Sequence, residues 1–102
     1  VTNILKDLSP HLDAQLDAKL AAYLPEHPLV VHAITEYARY GRMPGGFMTA
    51  MLHGKLYLAA MLADEHNFPQ IGRIAMAIVY YLPDIAYGSE ARVDAYAARR
   101  CP

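Results

Sequence analysis

Arg39-Tyr40-Gly41-Arg42-Met43-Pro44-Gly45-Gly46-Phe47 is the stretch that decides the fold, because within these nine residues one helix has to stop and another has to start. Gly41 is placed to close the incoming helix in a left-handed conformation. Pro44 and the glycine pair then open the outgoing helix without the Ser, Thr, Asp or Asn that usually caps an N-terminus. Two readings of the junction stay open. In one, glycine lets two helices cross closely and the arginines are solvated. In the other, Arg39, Arg42 and the free N–H groups at Gly45 and Gly46, with Tyr37 and Tyr40 beside them, hold a phosphate or a partner's carboxylate.

Helical punctuation continues on both sides of this turn. Ser9-Pro10 is a start signal for a first helix running to about Leu24, with Leu8, Leu12, Leu16, Leu20 and Leu24 recurring every four residues along one face. Pro25 and Pro28 end it and open the second helix, which carries Val30, Ile34, Tyr37 and Ala38 on one side. A third helix is predicted from Pro44 to about His53, with Gly54 as its C-cap, and a fourth from Lys55 to about Glu65, apolar from Leu56 to Ala63. Isolated helices shorter than about 12 residues are marginal in water, so packing must hold both.

Asn67-Phe68-Pro69-Gln70 has the spacing of a capping box and introduces a fifth helix ending at Tyr81 or Leu82. Ile71, Ile74, Ile78 and Leu82 form one stripe, and Ala75, Met76, Val79 and Tyr80 carry the apolar surface most of the way round. Such a helix is expected to be central or shared between subunits. Ser89 and Glu90 start a sixth, with Val93, Tyr96 and Ala97 facing inward and Arg99 and Arg100 at its C-terminal end. With no strand pattern, repeat or linker, the expectation is one all-α domain over residues 1–102, a compact bundle of five or six short helices.

Composition excludes several classes. The 102 residues are 55% hydrophobic and carry a formal net charge of -1, with a pI near 6.5, so whole-protein electrostatic attraction to nucleic acid is lacking. The longest apolar run, Ile74 to Leu82, is far short of the roughly 20 residues that span a bilayer. One cysteine, Cys101, cannot form an internal disulfide, and Val1 to Asp7 has no signal-like pattern, so the expected location is cytoplasmic with no membrane partner.

Catalytic constellations are also missing. His32 and Glu36 stand four apart on the second helix, a ligand-capable spacing, but no second pair accompanies them. Ser9 and Ser89 are both explained as caps, Asp64 and Glu65 point to different sides of a helix, and no phosphate-binding glycine pattern occurs. His27, at a helix start, can serve as a makeshift cap. The chain is therefore expected to be no enzyme and to need neither cofactor nor metal.

Pro44-Gly45-Gly46-Phe47, Ala50-Met51-Leu52, Ala63-Asp64-Glu65-His66-Asn67, Tyr80-Tyr81-Leu82 and Gly88-Ser89-Glu90, in that order, resemble a family of short proteins in bacterial and phage genomes. The resemblance covers about three quarters of the chain, departing from the family pattern at Tyr87 and Lys55. It implies a compact helical fold and a link to mobile elements, with no activity attached. Eight tyrosines without tryptophan are either half-buried packing or a contact surface formed by Tyr57, Tyr80, Tyr81, Tyr87 and Tyr96. The expected function is protein binding, as a small adaptor or inhibitor whose partner is another protein or a second copy in a homodimer. Its candidate site is Tyr37, Arg39, Tyr40, Arg42, Gly45, Gly46, Tyr57 and Tyr87. The rival expectation is a module for a phosphate-bearing ligand or nucleotide at the Arg39–Phe47 turn.

Overall fold

Leu16, Leu20 and Leu24 are all buried, so the described part of the four-residue leucine repeat faces a core, while Leu8 and Leu12 lie outside the described residues. The computed structural model describes residues 15–100, and the expected start at Ser9-Pro10 lies outside them, as does Cys101. Helix α1 occupies residues 15–23. It is followed by α2 (Pro28–Tyr40), α3 (Gly46–His53), α4 (Leu56–Leu62), α5 (Ile71–Tyr81) and α6 (Glu90–Arg100), with single 3-10 turns at Phe68–Gln70 and Asp84–Ala86. Among the described residues there is no strand, and the architecture is an all-α bundle of short helices.

The core is assembled from one stripe of each longer helix. Val30, Ile34 and Tyr37 of α2, Met48 and Leu52 of α3, Ile74 and Ile78 of α5, and Val93 and Tyr96 of α6 join the α1 leucines. Each fully buried aliphatic side chain of this kind contributes about 1.5–3 kcal/mol. Two buried tyrosines fasten the bundle by their hydroxyls. Tyr37 donates to the Ala86 carbonyl at 2.6 Å and Tyr96 donates to the Ala38 carbonyl at 2.7 Å, with ring centroids 5.2 Å apart. The Arg100 Nε adds a second donor to the Ala38 oxygen at 3.0 Å. This pins α6 to the C-terminal end of α2.

Gly41 ends α2 as the sequence suggests, at φ 69°. It is also a crossing point, since a Cβ built there would lie 2.3 Å from the Ala97 carbonyl oxygen of α6. Gly54 ends α3 at φ 79°, its N–H donating to the Met51 carbonyl while Lys55 N–H donates to Ala50, the paired bonds of a Schellman motif. Ser89 caps α6 as expected: its Oγ accepts the Arg92 N–H at 3.1 Å.

Several boundaries differ from the sequence expectation. Helix α3 starts at Gly46, not Pro44, because Gly45 is extended (ψ 177°). Helix α4 stops at Leu62, three residues early, where Ala63 turns extended. No Asn67-to-Gln70 capping box forms. Asp64 instead accepts the Asn67 N–H at 2.7 Å, and a 3-10 turn precedes α5. His27 makes no cap bond to α2; it is buried at 5% exposure against His66. Helix α5 buries Ile74, Ala77 and Ile78 but leaves Met76, Val79 and Tyr80 exposed, so it is not wrapped on all sides.

Candidate functional site

The Arg39–Phe47 turn is organised by pairing within the chain. Arg39 bonds the Asp17 carboxylate of α1. Arg42 bonds the carboxylate of Glu36, six residues back on α2, and its guanidinium carbon lies 4.8 Å from the centre of the Tyr40 ring, a surface cation–π contact. An incoming anion would compete with Asp17 and Glu36 for these guanidiniums. Tyr37 does not reach this surface, because its ring is fully buried under α6. Burial raises the Tyr37 pKa first by desolvation and then through Tyr96 and Asp94, so the hydroxyl stays a neutral donor to Ala86.

Gly45 and Gly46 are exposed at the start of α3. A Cβ on Gly45 would meet nothing within 4 Å, and one on Gly46 would only touch the Leu62 side chain at 3.4 Å. The close helix crossing belongs to Gly41, not to this pair. Inside the turn, Thr49 Oγ1 donates to the Pro44 carbonyl at 3.0 Å and fixes the entry to α3. Tyr87 is half-buried, packed against the core, and its carbonyl faces the Arg92 guanidinium.

Tyr57, the remaining expected site residue, lies on a different surface. It is 85% exposed, and its neighbours on α4 are exposed with it: Met61 80%, Leu56 61%, Leu62 50% and Leu58 41%. Ala59 is the buried residue of this helix. From Leu56 to Ala63 no side chain is charged. Helix α4 is therefore an apolar rod lying largely in solvent. At its base an open groove of about 200 Å³ is lined by Ala50, Met51, Gly54, Lys55, Leu56 and, across on α5, Ile71 and Ala75. On α5 itself, Met76 and Val79 are exposed as well. The signal was present in the sequence as an unbroken apolar run, but an apolar helix ordinarily means burial, and only packing distinguishes the two outcomes.

A second feature that the sequence does not reveal is a pair of histidines whose rings are in tilted contact. The His27 and His66 rings are 4.4 Å apart, and His66 Nε2 lies 3.2 Å from the Glu26 carbonyl oxygen. His27 Nδ1 is buried without a hydrogen-bond partner among the described residues. Beside it is a cavity of about 280 Å³ lined by Pro28, Leu29, Asp64 and Asn67 as well as both rings. These groups join residues 39 apart in sequence, too distant for spacing to reveal.

Metal chemistry gains no support from His32, because its helical neighbour Glu36 is engaged with Arg42. Among the described residues no three His, Cys, Asp or Glu side chains are grouped to hold an ion. No helix of the described residues is long and apolar enough to cross a membrane. No protein family, curated protein or solved structure matches this chain.

Proposed function

We propose that the chain acts by protein–protein contact, as a small adaptor or inhibitor encoded by a phage or mobile element and working in the cytoplasm, with the α4 face and the adjoining edge of α5 as its contact surface. One observation carries the reading: Leu56, Tyr57, Met61 and Leu62 project from one short helix into solvent. Exposed apolar area of this kind costs solubility unless it is covered, and a contiguous patch rimmed by polar groups is characteristic of interaction sites. Tyrosine and methionine suit the purpose, the first as a rigid amphipathic anchor and the second as an adaptable one. The rim is polar, with Lys55 at one end and Asp64 and Glu65 at the other.

The test is affinity capture from the cells in which the chain is expressed, with circular dichroism confirming that each variant folds. Tyr57→Glu is expected to lose the captured partner, while Arg42→Ala and Tyr40→Ala retain it. Loss with the latter pair and retention with Tyr57→Glu would move the contact to the Arg39–Phe47 turn. The ligand reading of that turn draws on the uncapped N-terminus of α3. A thermal shift with inorganic phosphate or nucleotide would support it, since a ligand that binds only the folded state raises stability by RT ln(1 + [L]/Kd).

A further inference from the structure

We infer that the occupant of the α4 face is a second copy of this chain, bound about a two-fold axis with the two α4 helices antiparallel. This rests on the protein-contact reading above and assigns the partner. Size is the first argument. Tyr57, Leu58, Met61 and Leu62 fall on one side of α4, and at roughly 200 Å² for a large side chain their exposed fractions amount to about 500 Å². That is at the upper end of the roughly 300–600 Å² of the largest, often functional, apolar patch on a monomer. Two such faces brought together bury about 1,000 Å², the least that a specific interface needs.

Charge placement selects the second copy over an unrelated protein. Between Lys55 and Asp64 the chain carries no charged side chain, so two α4 helices can meet without like-charge repulsion. The charges sit at opposite ends: Lys55 before the helix, Asp64 and Glu65 after it, all three exposed. In a two-fold pair every contact occurs twice with its partners exchanged. Antiparallel helices about 10 Å long therefore bring Lys55 of each copy beside the acidic end of the other. Opposed helix dipoles align in the same sense. An unrelated partner would need an apolar strip with an acid at one end and a base at the other; a second copy presents both by construction.

Lys55 already lies 3.3 Å from Glu90 across the exposed surface, a loose pairing that leaves its ammonium able to accept a further carboxylate. Tyr57 and Met61 are four residues apart on one face of α4, the spacing that inserts side chains into a facing helix. The result is a small, dry, self-complementary contact with two ionic ends.

Sedimentation velocity on the purified full chain across the micromolar range tests this. The expected result is a dimer whose dissociation constant rises at least about tenfold in Met61→Glu, because a carboxylate would be buried without a partner. Met61 is 80% exposed in the single chain, so that variant keeps its own core. Should it nevertheless fail to fold, Glu65→Lys gives an independent answer: it sets lysine against lysine and weakens the dimer, and adding Lys55→Glu restores it. A chain monomeric at all concentrations, or a dimer indifferent to both Met61→Glu and Glu65→Lys, overturns the inference. So does a monomer that associates with lipid vesicles. A monomer that still captures a cellular protein in an α4-dependent way overturns the second copy but not the protein-contact reading. A monomer without such capture removes both.

Discussion

Gly41 and Gly45 stand four residues apart in the same turn and are held by different constraints. Gly41 sits at φ 69° with the Ala97 backbone where a Cβ would go, whereas Gly45 has φ -64° and open space. Gly41→Ala should lower unfolding stability by about 3 kcal/mol, combining the left-handed penalty with a clash that only a shift of α6 relieves. Gly45→Ala should be neutral or stabilising by up to about 1 kcal/mol, because it restricts the unfolded chain at no native cost. Urea midpoints for the two variants decide the matter, and equal losses would show that the crossing is not where the structure places it. Tyr37 supports a prediction of another kind. Tyr37→Phe leaves the Ala86 carbonyl without its donor and should cost about 1–3 kcal/mol near neutral pH. The Tyr37 pKa is raised above its ordinary value of 10.0, so the neutral form is favoured in the fold. Its contribution is complete below about pH 10 and is lost as pH rises through the raised value. Thermal melts should therefore show wild type losing stability faster than Tyr37→Phe above about pH 10. Parallel curves would assign the hydroxyl no such role.

At the scale of elements, α4 differs from its neighbours in how little of it is buried. It has 7 residues, of which one, Ala59, is buried. Hydrogen exchange on a monomeric variant such as Met61→Glu should accordingly find α4 amides exchanging much faster than those of α2, whose inner face is fully packed. Equal protection would mean that α4 is stabilised by the body of the domain and that its apolar face is not what holds it in place. Helix positions were largely legible in the sequence, since leucine spacing, prolines and glycines act through local sterics that the chain carries with it. Gly41, Gly54 and Ser89 stop or start helices for the reasons their residue types suggest. The expected Asn67–Gln70 box fails because it needs the Gln70 side chain to accept the Asn67 N–H, and Asp64, three residues earlier, accepts it instead, while the Gln70 N–H donates to the Asn67 backbone carbonyl. Exposure was illegible for a similar reason. A uniformly apolar segment has no periodic stripe to say which way it faces, and only the remainder of the fold determines that the core closes without α4.

On the scale of the whole molecule the radius of gyration, 12.7 Å, matches the approximately 13 Å expected of a well-packed chain of this length. The exposed apolar face is therefore not a symptom of loose folding. Acidic and basic groups around the Arg39–Phe47 turn are matched within the chain, whereas the α4 face has no match, and that contrast moves the candidate contact from the turn to the helix. A two-fold pair through α4 would duplicate every other surface, the Tyr40–Arg42 contact included, and a bivalent particle gains avidity without any new contact. The tyrosine locks also govern when the domain can form. The Ala38 carbonyl receives its two donors from Tyr96 and Arg100, which follow it by 58 and 62 residues, and Tyr37 awaits Ala86, 49 residues on. Synthesis at about 5–20 residues per second leaves the apolar stripes of α1 and α2 uncovered for several seconds before α6 arrives. A nascent chain stalled before α6 would thus offer a ribosome-associated chaperone two open apolar faces, the α2 stripe and α4, of which completed synthesis removes only the first.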